Sequence, residues 1–156
     1  MDDDWPDKRR EIAYAEARAV IDSQNTTMSD IDDKAMRTLR LNALLLGLLV
    51  TGFQIEPTMF HLALLKAGVG LLVLSTICGV ITYNESNLYV GPRGEYIEDL
   101  ATEEFPDPPW EADLLVTMSG MVAENYDDIR RNAKLLTLTQ ATLLCGIVGA
   151  VLAVAI

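Results

Sequence analysis

The stretch "LLTLTQATLLCGIVGAVLAVAI", residues 135–156, runs for 22 residues without a charged side chain. A helix rises about 1.5 Å per residue, so this stretch is long enough to cross the roughly 30 Å hydrocarbon layer of a bilayer. The alternative is a core helix of a soluble bundle, which should keep a polar face. The polar side chains here are limited to threonines and a single glutamine. The stretch therefore predicts a membrane-spanning helix.

Two more apolar runs precede this stretch. Residues 39–55 form a run of seventeen, at the short end of a membrane span, and Glu56-Pro57 ends it. Residues 60–83 form a longer run that only His61 and Lys66 interrupt. Because few residues separate the two runs, they predict a tight hairpin of antiparallel helices. The sequence thus predicts an all-α membrane protein with three transmembrane helices.

Residues 1–38 are expected to form a cytosolic helical segment. A narrow face of small and apolar residues recurs there at spacings of three and four, which is typical of one side of a helix. The polar stretch "NTTMSD", residues 25–30, leaves two alternatives open: a break between two helices, or one continuous helix. The narrow face comprises Ala13, Ala17, Val20, Gln24, Met28, Ile31, Ala35, Thr38 and Asn42.

Residues 84–134 are expected to form a second cytosolic segment. Glycine and proline predict a turn region first, followed by a short acidic helix over 95–104. The linker "FPDPPW", residues 105–110, is predicted to be extended, and Pro109 can open a helix that continues into the third span. The apolar stripe of that helix comprises Leu114, Leu115, Met118, Met121, Val122, Tyr126 and Ile129.

The charge of the chain is strongly negative, at −11. Thirteen of the 23 acidic residues are Asp, and only four of the 12 basic residues are Lys. An Asp-rich, Lys-poor surface suggests a protein from a halophile, although an ordinary acidic protein is the alternative. So acidic a chain argues against a nucleic acid as the partner.

No pattern in the sequence predicts catalysis. The two cysteines, Cys78 and Cys145, lie far apart within apolar runs and have no metal-ligand spacing. The single histidine, His61, has only Glu56 as an acidic neighbour, and none of the usual catalytic or phosphate-binding motifs occurs. We therefore expect the chain not to be an enzyme and to need no cofactor or metal.

The basic residues predict one orientation in the membrane. Basic residues near the ends of spans tend to stay in the cytoplasm. Basic residues precede the first span, follow the second and precede the third, whereas the hairpin tip has none outside its apolar run. The N-terminus is therefore expected in the cytoplasm and the C-terminus outside, in the plasma membrane. The flanking residues are Lys34, Arg37, Arg40, Arg93, Arg130, Arg131 and Lys134.

Six of these residues have two interpretations. They can act only as topology determinants that contact lipid headgroups. Alternatively, they come together beneath the bilayer as a site for an anion, suited to a phosphate-bearing small molecule. The six are Lys34, Arg37, Arg40, Arg130, Arg131 and Lys134.

Lys66 is a charge placed about seven residues into the second run. An isolated charge within a span costs roughly 2.5–3.5 kcal/mol on insertion scales. Its long stem can reach the outer surface by snorkelling. Alternatively, it lines an oligomeric pore, with Glu56 as its partner.

Four other residues in the spans are predicted to make helix–helix contacts. Asn42 and Gln140 are amides, which often hydrogen-bond between helices in membranes. Gly68 and Gly146 lie among small residues that let helix backbones approach closely.

The stretch "DIDDKAMRTLRLNALLLGLLV", residues 30–50, is followed by a close second span, by "ITYNESNLY" and by a helix that re-enters the membrane. This arrangement resembles the small membrane effectors of prokaryotic nucleotide-signalled antiviral defence, the Pycsar-effector and SLATT-type proteins. The resemblance implies a cytosolic helical part that senses a cyclic nucleotide or a partner protein, and spans that oligomerise and disrupt the membrane. The residues that carry it are Asp33, Lys34, Ala35, Leu39 and Asn42.

Two functions are therefore expected from different classes. The first is an oligomeric effector that perturbs the membrane on a cytosolic signal. The second is a scaffold or accessory subunit that binds a partner protein through its cytosolic helices. A transporter is disfavoured because the three spans show no inverted repeat.

Overall fold

The computed structural model describes residues 5–84, 88–102 and 110–155. These residues form four α-helices and a short 3-10 turn, and no strand occurs among them, which confirms the all-α prediction. Three of the helices are long and apolar enough to span a membrane. The elements are α1 (Trp5–Ile55), a 3-10 turn (Pro57–Met59), α2 (Leu62–Asn84), α3 (Gly94–Ala101) and α4 (Trp110–Ala155).

Helix α1 is continuous through the polar stretch at residues 25–30, so the alternative of two helices does not hold. Two threonines in this stretch hydrogen-bond to their own helix. The hydroxyl of Thr26 donates to the carbonyl of Asp22 at 3.0 Å, and that of Thr27 donates to the carbonyl of Ser23 at 2.9 Å. Both bonds reach back four residues and leave the backbone hydrogen bonds of the helix in place.

The buried face of α1 differs from the predicted face at its N-terminal end. Ile21 is fully buried, whereas the predicted Val20 is 39% exposed. Val20 lies two steps of four residues before Met28, which places it about 80° around the helix from Met28. Ile21 lies seven residues before Met28 and stays within about 20° of it. The stripe therefore passes through Ile21. The buried residues of α1 are Ile21, Met28, Ile31, Ala35, Thr38 and Asn42.

The chain divides into two compact units. We call the described residues within 29–86 and 131–156 the apolar unit; they include α2 and the C-terminal parts of α1 and α4. We call the described residues within 1–28 and 87–130 the acidic unit; they include α3 and the N-terminal parts of α1 and α4. Helices α1 and α4 each run without a break from one unit into the other.

The connection between α1 and α2 is longer than the sequence suggests, because α1 ends at Ile55 and α2 begins only at Leu62. The 3-10 turn occupies the middle of this connection. Phe60 returns against α1, where its ring meets Phe53 edge to face with centroids 6.0 Å apart. The backbone N–H of His61 donates to the carbonyl of Ala153 at 2.7 Å, which ties the start of α2 to the end of α4.

The second segment also differs from the prediction in its boundaries. Helix α3 covers Gly94–Ala101 and is followed by a turn at Thr102, so its described part is shorter than the expected 95–104. The hydroxyl of Thr102 donates to the carbonyl of Glu98 at 3.2 Å, which caps the last turn. Of the expected extended linker at 105–110, residues 105–109 lie outside the described residues, as does the expected helix start at Pro109, whereas Trp110 is helical. Helix α4 begins at Trp110 among the residues that are described.

Candidate functional site

The apolar unit contains a buried polar cluster that joins its three helices. The side-chain amide of Asn42 in α1 donates to the hydroxyl of Ser75 in α2 at 2.9 Å. The Ser75 hydroxyl donates in turn to the carbonyl of Thr139 in α4 at 2.7 Å. All three residues are 0% exposed. Asn42, which the sequence predicted as a helix contact, therefore belongs to a chain of hydrogen bonds through all three helices.

One atom of this cluster has no partner. The side-chain oxygen of Asn42 is buried and accepts no hydrogen bond from any described residue. Leaving such a group unpaired costs about 1–3 kcal/mol relative to a paired one. The cluster thus holds the helices together and also keeps an unused acceptor at its centre.

The second contact between helices depends on the absence of side chains. A Cβ at Gly68 would lie 2.9 Å from the backbone nitrogen of Ala150 and 3.1 Å from the carbonyl oxygen of Gly146. A Cβ at Gly149 would lie 3.1 Å from the Cα of Gly68. Helices α2 and α4 therefore touch backbone to backbone, as small residues permit in membrane helices. The structure brings together the predicted Gly68 and Gly146, and it adds Gly149.

The remaining predicted residues of the spans lie on the surface of the apolar unit. Gln140 is exposed and makes no side-chain hydrogen bond to a described residue that would join it to another helix. Lys66 is also exposed, on the side of α2 away from the buried stripe. Glu56 accepts a hydrogen bond from the Thr58 hydroxyl. Within the described ranges, Lys66 and Glu56 do not form an ion pair with one another.

The six basic residues of the proposed anion site are all exposed. Arg37 lies 4.0 Å from the carboxylate of Asp33, one turn earlier in α1, with both side chains more than 70% exposed. A surface pair of this kind contributes little to stability. Arg130 belongs to the acidic unit, and the other five belong to the apolar unit. The anion site stays a prediction. The five basic residues that belong to the apolar unit are Lys34, Arg37, Arg40, Arg131 and Lys134.

The acidic unit is organised around a residue that the sequence analysis missed. The Asn125 amide, fully buried in α4, accepts from the Tyr89 N–H at 2.8 Å and donates to the Tyr89 carbonyl at 2.9 Å. It also donates to the side-chain oxygen of Gln24 at 3.3 Å, and Gln24 donates to the carbonyl of Val122 at 2.9 Å. Asn125 thus binds α1 and the segment around Tyr89, which lies outside the helices, to α4. Tyr126, the expected stripe residue, is 62% exposed.

Tyr96 of α3 makes a second polar contact within the acidic unit. Its hydroxyl donates to the carboxylate of Asp113 at 2.8 Å. Burial raises the pKa of Tyr96, and the hydrogen bond to the carboxylate and its charge raise it further, while a hydrogen bond with Thr117 acts against them. Tyr96 therefore stays protonated throughout the physiological pH range. This contact holds α3 against α4.

A groove of about 430 Å³ opens on the acidic unit between α1 and α4. The lining is mostly apolar and includes Leu114 and Leu115 together with the exposed aromatic residues Tyr14 and Trp110. Arg10 and Glu111 also line it, with their charged groups 3.9 Å apart. Apolar grooves lined by exposed aromatic residues and a few charged groups are typical of surfaces that bind another protein. The groove is the second candidate site.

Two further features bear on chemistry. Within residues 5–84, 88–102 and 110–155, no group of three His, Cys, Asp or Glu side chains is arranged to hold a metal ion. Cys78 is buried, Cys145 is exposed, and both are free thiols. The prediction that the chain is not an enzyme stays a prediction.

The chain has no match among protein-family models, and comparisons with curated proteins and with solved structures found no significant match. The geometry of the two units therefore carries the functional argument.

We expect Gly68→Ala to destabilise the apolar unit by about 1–3 kcal/mol, the usual range for overpacking, because the new Cβ meets the backbone of α4. The matched control is Gly47→Ala in α1, since a Cβ there meets nothing within 4 Å. Both changes add the same helix propensity, so the control should be neutral or slightly stabilising. The measurement is the free energy of unfolding in mixed micelles. Equal stabilities of the two variants would contradict the close contact.

We expect Asn125→Leu to release the segment around Tyr89, so that the Tyr89 amide exchanges with solvent about tenfold faster, as loss of roughly 1.4 kcal/mol implies. Asn125→Asp keeps the acceptor for the Tyr89 N–H but loses both donated hydrogen bonds and places a carboxylate against the Tyr89 carbonyl, so it should also protect this amide less than Asn125 does. Glu124→Gln, at the exposed neighbouring position, is the control. Hydrogen exchange measures the three variants. Unchanged exchange in Asn125→Leu would show that Asn125 does not hold the segment.

Proposed function

We propose that the chain is an integral membrane effector that oligomerises and perturbs the bilayer in response to a cytosolic signal. The observation that carries the membrane part of this proposal is the surface of the apolar unit. In each long helix, the share of an apolar stretch of 18 residues that is buried inside the protein is small: 11% in α1, 33% in α2 and 22% in α4. So large an apolar surface would be unfavourable in water and suits a hydrocarbon environment.

The orientation in this proposal follows from the basic residues at the span ends. The N-terminus and the acidic unit lie in the cytoplasm of the cell, and the C-terminus lies outside the plasma membrane. The structure supports this proposal by keeping the basic residues next to the spans exposed, where they can contact headgroups. These residues are Lys34, Arg37, Arg40, Arg131 and Lys134.

The effector mechanism in this proposal uses the two continuous helices. Because α1 and α4 run unbroken from the acidic unit into the apolar unit, a signal that moves either helix in the first unit also acts on the second. The apolar unit has a polar centre at Asn42, so its three helices are held partly by hydrogen bonds that break when the helices shift against one another. Antiviral defence and a cyclic nucleotide as the signal rest on the resemblance described above.

The second candidate function is a scaffold or accessory subunit, and the groove of the acidic unit favours it. Trp110 is 50% exposed and Tyr14 is 44% exposed at this groove. Aromatic residues in such positions are frequent anchors in protein interfaces. In this alternative the spans only hold the chain in the membrane, and the groove binds a cytosolic partner protein.

The test of the effector proposal is dye release from liposomes that contain the full chain, with cyclic nucleotides added one at a time. We expect one nucleotide to raise the rate of release by about tenfold or more, as a ligand that favours one of two states by roughly 1.4 kcal/mol produces. Empty liposomes are the control.

The effector proposal is contradicted if no cyclic nucleotide causes release and strong expression in cells leaves the membrane potential intact. The scaffold function then remains, and Trp110→Ser should weaken binding of its partner protein without altering the spans.

A further inference from the structure

The surface of the apolar unit has two charges at the same end of the helical hairpin. Between residues 41 and 83 the only charged side chains are Glu56 and Lys66. Glu56 follows the end of α1, and Lys66 lies four residues after the start of α2, about 6 Å along the helix axis. Both residues are exposed. One negative and one positive charge therefore lie near the same end of the unit.

Neither charge takes part in an ion pair within residues 5–84, 88–102 and 110–155. The ion pairs among the described residues are Arg10–Glu111 and Asp33–Arg37, and neither includes Glu56 or Lys66. The Glu56 carboxylate accepts from the Thr58 hydroxyl, which adds no charge. The other titratable side chain at this end is His61, which is exposed. An unpaired ammonium at this depth in a span is costly, so a carboxylate partner would be favourable.

The helix surface around Lys66 permits a close neighbour. Ala63, Ala67 and Gly70 lie on the exposed side of α2 together with Lys66. A Cβ at Gly70 would meet nothing within 4 Å, whereas one at Gly68 would meet the backbone of α4. Small residues let another helix approach, and the lysine then supplies the specific contact.

We propose that this exposed face of α2 binds a second copy of the chain, with Lys66 of each copy paired with Glu56 of the other. A second copy is the occupant on the ground of charge complementarity: Lys66 pairs with no carboxylate among the described residues of its own copy, and any second copy brings a Glu56 near the same end of its hairpin. In a two-fold arrangement the pair forms twice, so that both copies lose their unpaired charges together. This inference rests on the oligomer that the proposed function requires, and it names the surface that forms it.

The test is the dimer fraction in lipid nanodiscs or mixed micelles, measured by energy transfer between labelled copies. Lys66→Glu and Glu56→Lys should each weaken self-association by roughly tenfold to a few hundredfold, because every dimer of a single variant loses both pairs and one polar contact between membrane helices is worth about threefold to twentyfold. The double variant should associate as well as the unchanged chain. Lys66→Arg should retain association, and circular dichroism should show unchanged helix content in every variant.

The decisive measurement mixes the two single variants. Lys66→Glu and Glu56→Lys copies restore both pairs only when they bind each other, so the mixture should form mixed dimers at concentrations at which each variant alone stays monomeric. Rescue in the double variant without mixed dimers would instead show a pair within one copy and would overturn the proposal. If Lys66→Met copies associate as well as the unchanged chain, Lys66 only extends its ammonium to the membrane surface, and the proposal is overturned.

A lipid headgroup is the other possible source of an anion for Lys66. Association that requires anionic lipid and ignores Glu56→Gln would identify the phosphate as the partner and overturn the proposal. Failure of this interface and failure of the proposed effector function give different results. Dimers that depend on both charges but release no dye with any nucleotide would contradict the effector function and leave this interface intact.

Discussion

A polar group inside a hydrocarbon layer must find its partner within the protein, because no water is available there. This constraint governs the arrangement of the apolar unit. Asn42, Ser75 and Thr139 come from three different helices, and each is fully buried. The two hydrogen bonds that join them form only when the three helices stand at one register, although the side-chain oxygen of Asn42 stays unpaired there. The polar cluster therefore specifies which faces of α1, α2 and α4 meet, which apolar contacts alone do poorly in lipid.

The remaining contacts of the apolar unit follow from that register. With Asn42 and Ser75 aligned, Gly79 lies beneath Leu39, where an added Cβ would be 2.9 Å from the leucine side chain. Nearer the start of α2, Gly68 reaches the backbone of α4. The buried threonines at these helix interfaces bond within their own helix: Thr142 donates to the Leu138 carbonyl at 2.8 Å. Small and hydroxylated side chains thus bring the backbones close without leaving hydroxyl groups unpaired.

The helices and their apolar spans could be predicted from the sequence, because length and the absence of charge are properties of each segment alone. The partners of buried polar residues could not. Asn42 was predicted as a helix contact, but Ser75 was missed even though it lies three residues after the buried Leu72 in the same stripe. Asn125 was missed because an asparagine in a polar stretch of sequence is expected on the surface. Its burial follows from its hydrogen bonds to Tyr89, which the sequence does not reveal. Spacing predicts which residues share a helix face, whereas the partner depends on how distant segments pack.

The central claim is that the hydrogen bonds from Asn42 through Ser75 hold the three helices together. The most direct measurement is a double-mutant cycle of Asn42→Ala and Ser75→Ala, with the free energy of unfolding measured in lipid bilayers or mixed micelles. The account predicts a coupling free energy of about 0.5–1.5 kcal/mol, the range for hydrogen bonds between membrane helices. The same cycle with the exposed Gln140→Ala in place of Asn42→Ala should give no coupling. Zero coupling between Asn42 and Ser75 would contradict the account.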